Sequence, residues 1–86
     1  MANTAQLNAC FQAVRSNDEV ALKDMLPGVD INARSTEKFG HQRAMLHVAA
    51  ATGSLEATNI LIDHKANVNA KDKFRRTPLF LAARNG

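Results

Sequence analysis

Three histidines and a single cysteine are the side chains of this 86-residue chain best suited to bind a metal or attack a substrate. His41 and His47 lie six positions apart, which places them on different faces of a helix, and His64 belongs to another segment. This spacing does not match the histidine pairs of zinc sites. Cys10 alone supplies too few thiolates for a cysteine-based zinc site and no intramolecular disulfide. We therefore predict no metal site and no cofactor.

Other signatures of catalysis are also missing from the sequence. It contains no glycine-rich phosphate loop, no nucleophile elbow and no recognisable motif of paired carboxylates. Residues 1–14 lack the charged start and apolar stretch of a signal peptide, and no apolar run of about 18 residues could span a membrane. We expect no enzymatic activity, no catalytic residue and no membrane contact. The lone cysteine favours a reducing compartment, which we take as the cytoplasm, with the nucleus or a host cytosol left open.

Basic residues, which could bind an acidic partner, are concentrated in two short segments, although the net charge of the chain is only +3. Residues 34–43 hold three cations and one acid, a net charge of +2, and residues 71–76 hold four cations and one acid, a net charge of +3. The rest of the chain carries −2. This segregation favours a contact surface, whereas solvated loops that keep a small domain soluble are the alternative interpretation.

The sequence around these basic segments repeats. Residues 43–53 (RAMLHVAAATG) match residues 76–86 (RTPLFLAARNG) at an offset of 33, with Arg, Leu, two Ala and Gly identical. Residues 29–34 (VDINAR) match residues 66–71 (ANVNAK) at an offset of 37. A period of this length is the sequence signature of a stacked-repeat architecture.

Each repeat unit is predicted to hold two short helices. Residues 45–52 form a first helix, and after a glycine turn residues 55–64 carry apolar side chains at the spacing of one helix face. Residues 77–86 have the pattern of another first helix, with Thr77 as N-cap and Pro78 in the first turn. These helices are shorter than the roughly 12 to 15 residues at which an isolated helix is marginally stable. Each must therefore pack against its neighbours.

These segments resemble ankyrin repeats. TPLFLAARNG and MLHVAAATGSLEATNILIDHKANVNAKD match the family's period, its paired short helices, its TPLH-type opening and its closing V-N-A loop over nearly the whole chain. The resemblance implies an all-α fold, an ankyrin-type helix-turn-helix solenoid with projecting β-hairpin loops. The predicted boundaries are residues 1–86 for the single domain and about residues 5–33, 34–70 and 71–86 for a divergent N-terminal cap, a full repeat and a third repeat with its first helix only.

The repeat phase gives structural roles to several side chains that could otherwise suggest chemistry. Cys10 falls at the core position of Leu46, which favours a buried, inert thiol over a nucleophile. His47 is expected to bond the neighbouring backbone. In some members of the family the asparagine of the V-N-A loop is hydroxylated, and that position corresponds to Asn32 and Asn69. Loop hydrogen bonds alone would explain both residues.

Three departures from the family pattern are expected to affect stability or binding. Ala44 replaces the capping threonine of the second repeat, so its first helix should fray more easily. Lys65 and Arg75 replace glycines of left-handed turns, at a cost of about 1 kcal/mol each. The loop at residues 34–43 is four residues longer than its counterpart at residues 71–76. Insertions in repeat proteins often lie on the binding face.

The resemblance also implies a contact surface, because ankyrin repeats usually bind through their projecting loops and the exposed end of each first helix. Phe74 and Phe39 add aromatic surface to the two loops, which is typical of interaction hot spots, although packing along the neighbouring loop is the alternative role for Phe74. The predicted partner-binding residues are Arg15, Arg34, Arg43, Thr52, Lys71, Lys73, Phe74, Arg76, Arg84 and Asn85.

We therefore predict a protein-interaction module that binds a partner with an acidic surface through its basic loops and concave face. Nucleic-acid binding is one alternative, against which the acidic helices and the few interleaved aromatic residues argue. A targeting or regulatory segment of a larger enzyme or secreted effector is another. Leu79, Leu81 and Ala82 are expected to cover the second repeat. Because the third repeat lacks a second helix, we also expect either a longer array or self-association through the C-terminal end.

Overall fold

The computed structural model describes residues 4–35 and 41–85, and these two stretches contain five α-helices. A short 3₁₀ turn, Leu26–Gly28, follows the second helix and holds Pro27 in its first turn. The alternation of short helices and tight turns confirms the predicted all-α helix-turn-helix fold. The helices are α1 (Thr4–Arg15), α2 (Glu19–Met25), α3 (Met45–Thr52), α4 (Leu55–Asp63) and α5 (Pro78–Asn85).

The helices form two rows. The first-row helices α1, α3 and α5 pack side by side, with α3 in the middle, and α2 and α4 pack together in the second row. Apolar side chains from both rows fill the space between them, as the short helices require. The largest fully buried side chains include Phe11, Val14, Leu22, Met45 and Leu61.

The last helix covers the second repeat only in part. Leu81 is 1% exposed and anchors α5 to the domain, as predicted. The prediction for Leu79 is wrong, because this side chain is 76% exposed. It lies instead at the edge of an open apolar groove of about 170 Å³, whose other walls include Leu46, Ile62 and Val68.

The second and fifth helices are capped by the residues that precede them. Asp18 Oδ1 accepts a hydrogen bond from the Ala21 backbone N–H at 3.2 Å. Thr77 Oγ1 accepts one from the Phe80 backbone N–H at 3.2 Å, which confirms its predicted capping role. These bonds satisfy N–H groups that have no partner inside the helix.

Helix α4 is capped from the preceding repeat. Ser54 occupies its N-cap position, but the Ser54 hydroxyl bonds Thr52 Oγ1 at 2.8 Å and not the helix. The Ala57 backbone N–H donates instead to Asn17 Oδ1, at 3.0 Å. The side chain of a residue 40 positions earlier thus replaces the local cap and couples the α1–α2 turn to α4.

Left-handed backbone conformations occur where the repeat pattern places them. Gly53 ends α3 with φ of 70°, and Lys65 and Arg75 have φ of 69° and 65°, which confirms that both replace turn glycines. Two further residues, His41 and Gln42, have φ of 55° and 54°. The sequence did not predict this pair, because the longer loop has no counterpart in the other repeat.

The loops at residues 34–43 and 71–76, which we call finger 1 and finger 2, are closed by backbone hydrogen bonds. In finger 1 an antiparallel bridge joins Arg34 to Ala44, and the Ser35 N–H donates to the Arg43 carbonyl at 2.8 Å. In finger 2 the Asp72 N–H donates to the Arg76 carbonyl at 3.0 Å. Both fingers are therefore closed at their bases.

Within residues 4–35 and 41–85, no helix combines the length and the apolar character needed to cross a bilayer.

Candidate partner-binding surface

A buried carboxylate organises finger 2. Asp72 is 5% exposed, and its Oδ1 accepts hydrogen bonds from the backbone N–H groups of Phe74 and Arg76, each at 2.9 Å. The Arg76 side chain donates to Oδ2 at 3.1 Å, and the Arg43 Nε lies 3.5 Å from the same oxygen as an ion pair. A carboxylate bonding the backbone two residues on is the usual role of aspartate in a turn. Asp72 therefore holds the turn closed and ties finger 1 to it.

The protonation of Asp72 follows from these contacts. Burial alone would raise the pKa of the carboxyl group. The backbone hydrogen bonds from Arg76 and Phe74 and the Arg76 guanidinium outweigh burial, so the pKa lies below its ordinary value. Asp72 is therefore ionised at neutral pH and neutralises charge that Arg43 and Arg76 would otherwise present to a partner.

The described residues of finger 1, 34–35 and 41–43, are bonded to finger 2. The Lys73 backbone N–H donates to the His41 carbonyl at 2.7 Å. Arg34 reaches between the fingers, and its guanidinium donates to the carbonyl of Gln42 at 3.0 Å and to the carbonyl of Lys71. The fingers therefore form one composite surface, not two independent loops.

An aromatic ring sits at the tip of this surface. Phe74 is 55% exposed, its ring centroid lies 5.0 Å from that of His41, and the two planes meet at 56°. The Arg76 guanidinium lies 4.8 Å from the Phe74 centroid, within the range of a cation–π contact. The ring is thus held in place by its neighbours while much of its area remains open to solvent.

The predicted basic residues of the fingers differ in what they contact. Arg34, Arg43 and Arg76 hold the fingers together through the bonds above. Lys71 and Lys73 are exposed, and their side chains have no partner among the described residues. The predicted set therefore divides into cations that build the surface and cations that remain available to a partner.

The remaining predicted residues lie at the ends of the first-row helices and form what we call the helix-end stripe. Arg15 ends α1, exposed, with its guanidinium 6.0 Å from the Phe11 ring centroid. Thr52 ends α3, where its hydroxyl donates to the Val48 carbonyl at 2.8 Å. Arg84 is exposed in the last turn of α5, and Asn85 is its last residue. Because α3 packs against both α1 and α5, these ends belong to neighbouring helices.

A buried histidine joins finger 2 to the second repeat. The His47 ring is fully buried, its Nδ1 accepts from the Ala44 backbone N–H at 3.1 Å, and its Nε2 lies 2.8 Å from the Arg76 carbonyl. These partners require a neutral ring with the proton on Nε2, which donates to that carbonyl. Burial lowers the pKa of His47, although the Arg76 carbonyl and the charge of Asp72 partly oppose the shift. The predicted structural role of His47 is confirmed.

Sequence reasoning missed two members of this surface. Asp72 was counted only as an opposing charge, although an aspartate at the start of a basic turn is itself a signal of an Asx turn. His41 could not be placed, because its contact with Phe74 joins two loops far apart in sequence. Phe39 and the rest of residues 36–40 lie outside the described residues.

Cys10 is buried in α1, as predicted, and burial raises the pKa of its thiol. A thiol in this environment is protonated at neutral pH and a poor nucleophile.

Paired short helices, left-handed turns between them and two bonded fingers define a stacked helix-turn-helix repeat protein. Residues 10–86 match the family model described as ankyrin repeats (3 copies), and the chain belongs to the ankyrin repeat family. The resemblance drawn from the sequence is confirmed. Ankyrin repeats are protein-interaction modules, so a partner-binding role follows at this general level.

Curated relatives of this chain include larger enzymes. The chain is 32% identical over 85 residues to "E3 ubiquitin-protein ligase XB3" of Oryza sativa subsp. japonica, covering 99% of this chain and 19% of the relative. It is 33% identical over 76 residues to "Probable E3 ubiquitin-protein ligase XBOS31" of the same species, covering 88% and 17%. It is also 36% identical over 62 residues to "Serine/threonine-protein kinase 12" of Arabidopsis thaliana, covering 71% and 13%. The chain thus spans less than a fifth of the length of each of these proteins.

Proposed function

We propose that this chain binds a protein partner with acidic groups through fingers 1 and 2 and the helix-end stripe. The observation that carries the proposal is the composite finger surface, in which Asp72 and the interfinger bonds hold exposed Lys71, Lys73 and Phe74 in one place. Preformed surfaces bind with a smaller loss of conformational entropy than flexible loops. Partner binding is the general role of the family, and the basic fingers are our specific assignment.

A selection experiment with matched variants tests the proposal. The folded chain would be used to select binders from a displayed library of protein fragments. We would then measure each binder against the charge reversals Lys73→Glu and Arg84→Glu. Lys23→Glu is the matched control, since Lys23 is an exposed lysine on α2, outside the fingers and the stripe. Binders weakened at least about tenfold by the first two variants and less than about twofold by the control support the proposal. Equal binding by all three variants contradicts it.

A second candidate function is the recognition or targeting segment of a larger enzyme. The similarity to the ligases named above favours it, since this chain aligns with only a small part of each. Sequencing full-length transcripts that contain these codons tests it. A reading frame that encodes a catalytic domain on either side of these residues supports this function, and a complete frame without one contradicts it.

Two narrower assignments stay predictions. The first is self-association through the C-terminal end, which is consistent with the apolar groove beside Leu79. The second is the cytoplasm as the compartment. A fluorescent fusion of the native protein, imaged in living cells, would check the compartment.

A further inference from the structure

In finger 2, some residues hold the turn together and others are exposed to solvent. The buried Asp72 carboxylate closes the turn by accepting hydrogen bonds from the backbone and the side chain of Arg76. Lys71, Lys73 and Arg75 are exposed. The side chains of these last three have no partner among the described residues, so their charge is available to another molecule. Three exposed cations thus flank an aromatic residue in sequence, within a finger of six residues.

The aromatic ring is already held where a partner would meet it. The Phe74 ring centroid lies 5.0 Å from the His41 ring centroid and 4.8 Å from the Arg76 guanidinium carbon. The Phe74 backbone N–H donates a hydrogen bond to Asp72. More than half of its surface still faces solvent. An apolar side chain packing on this ring would gain contact area without first ordering the loop.

The three cations would not give useful affinity alone. Forming one exposed ion pair strengthens binding by roughly fivefold at most, although reversing one of its charges costs more because it also adds repulsion. Salt at physiological strength screens charges beyond about 8 Å. Aromatic side chains, by contrast, are common interaction hot spots. A ligand that contacts both the cations and the aromatic ring should therefore bind more tightly than one that contacts the cations alone.

We propose that finger 2 is a binding site for a linear protein segment in which one apolar side chain packs on Phe74, flanked by carboxylates that pair with Lys71, Lys73 and Arg75. The inference rests on the proposed function, since it names the chemistry that the finger surface recognises. Asp72 is the positioning residue of this site, because it fixes the turn that presents the ring and neutralises the two arginines behind it.

The same features disfavour a nucleic-acid strand. Binding to phosphates gains from many cations along a track, and Asp72 removes two arginines from any such track. A single ring offers only one stacking position, whereas proteins that bind single strands stack several successive bases. Charge and apolar area together fit a short acidic protein segment.

Three synthetic peptides of equal length test the inference by NMR titration of the isotope-labelled chain, and the first two also carry equal charge. The first has a central leucine flanked by glutamates, the second has serine in place of that leucine, and the third is polyglutamate. We expect the leucine peptide to bind at least about fivefold tighter than either of the others, with its largest shifts at the Phe74 and His41 rings. Equal affinities, or no saturable shift at about 1 mM peptide, would overturn the inference.

Variants assign the effect to residues. Phe74→Ala should remove the preference for leucine over serine, Lys73→Glu should weaken both peptides, and Lys23→Glu should change neither. Because Phe74 and Lys73 are exposed, both variants are expected to fold. A leucine preference that survives Phe74→Ala would contradict the assignment.

Asp72→Asn tests positioning. It should remove the leucine preference and the ring shifts that arise from the Phe74–His41 contact, while far-ultraviolet circular dichroism keeps its helical signal. A retained leucine preference would exclude the positioning role. If the library yields partners that depend on Arg84 but the leucine peptide does not bind, this inference fails and the proposed function stands. If variants of the fingers and the stripe affect no partner, the proposed function fails as well.

Discussion

At the scale of single residues, two buried polar side chains connect the binding surface to the helices. One ring nitrogen of His47 accepts a hydrogen bond from the Ala44 backbone N–H, just before its own helix, and the other donates to the Arg76 carbonyl of finger 2. Asp72 accepts a hydrogen bond from the backbone N–H of the same residue, Arg76, and so keeps finger 2 closed. A buried polar group that loses its partner costs more than its net hydrogen bond contributes, so both residues should be sensitive to substitution and to pH.

The stability of the domain should fall as the pH is lowered through the titration range of His47. Because the pKa is lower in the folded than in the unfolded chain, the unfolded chain takes up the proton first. The contribution of His47 is therefore fully present above about pH 6.5 and is lost progressively below it. Urea unfolding at about pH 7.5 and pH 5.0 measures the difference.

His47→Gln provides the comparison for this prediction. It should lower the free energy of unfolding by about 2 kcal/mol at neutral pH, since two buried hydrogen bonds are disturbed. It should also show a smaller fall in stability between the two pH values. A variant with an unchanged pH slope would show that another group is responsible.

At the scale of the elements, the helices depend on neighbouring repeats for their ends as well as for their packing. Asn17, in the turn after α1, caps α4, and Asn32 accepts a hydrogen bond from the Asn67 backbone N–H at 2.8 Å. Such bonds contribute to the interface between repeats, on which the stability of a repeat array depends. They explain how helices of seven to nine residues, such as α2 and α4, are stable here.

Substitutions of Asn17 should separate its cap from its backbone conformation. Asn17→Gly removes the side-chain acceptor but tolerates φ of 53°, so it should cost about 1 kcal/mol of stability. Asn17→Ala removes the acceptor and also strains the left-handed turn, so it should cost about 2 kcal/mol. Equal stability of Asn17→Ala and the wild type in urea unfolding would exclude the capping role.

Lys65→Gly should stabilise the domain. Lys65 is exposed with φ of 69°, where glycine has no Cβ penalty, so we expect a gain of about 1 kcal/mol. In a domain of this size that gain raises the melting temperature by about 4 to 8 °C. Lys65→Ala is the control for loss of the side chain and should give no such increase. A melting temperature that does not rise with glycine would contradict the assigned strain.

The sequence predicted features that repeat and missed those that depend on contacts between distant loops. The left-handed turns at Lys65 and Arg75 and the cap at Thr77 follow from the repeat phase, which the chain itself displays. The ion pair of Asp72 with Arg43 and the ring contact of Phe74 with His41 depend on how two unequal fingers meet. No sequence period encodes how the two fingers contact each other, so the structure was needed to separate the basic residues that hold the fingers together from those that are free to contact a partner.

At the scale of the whole molecule, two surfaces have different character. The fingers present charged residues and one exposed ring, whereas the end beyond α4 and α5 is apolar, with Ile62, Val68 and Leu79 exposed along the groove. Exposed apolar patches on small domains commonly mark contact sites. Salt should therefore weaken contacts at the fingers while leaving contacts at the apolar end in place.

Self-association through the apolar end would appear as a mass that rises with concentration. In sedimentation equilibrium the wild-type chain should exceed its monomer mass of 9.3 kDa as concentration increases, and Leu79→Glu should restore the monomer. Val20→Glu is a matched control, because Val20 is a similarly exposed apolar residue on α2. A wild-type chain that stays monomeric at high concentration would exclude this contact.

The most direct test of the central claim is the dissociation constant of the tightest selected protein partner, measured by calorimetry for the wild type, Lys73→Glu and Lys23→Glu. The finger surface predicts that Lys73→Glu weakens binding by at least about tenfold, whereas the same charge reversal on α2 changes it by less than about twofold. All three proteins should have the same melting temperature within about 2 °C. Equal dissociation constants for Lys73→Glu and the wild type would contradict binding through the fingers.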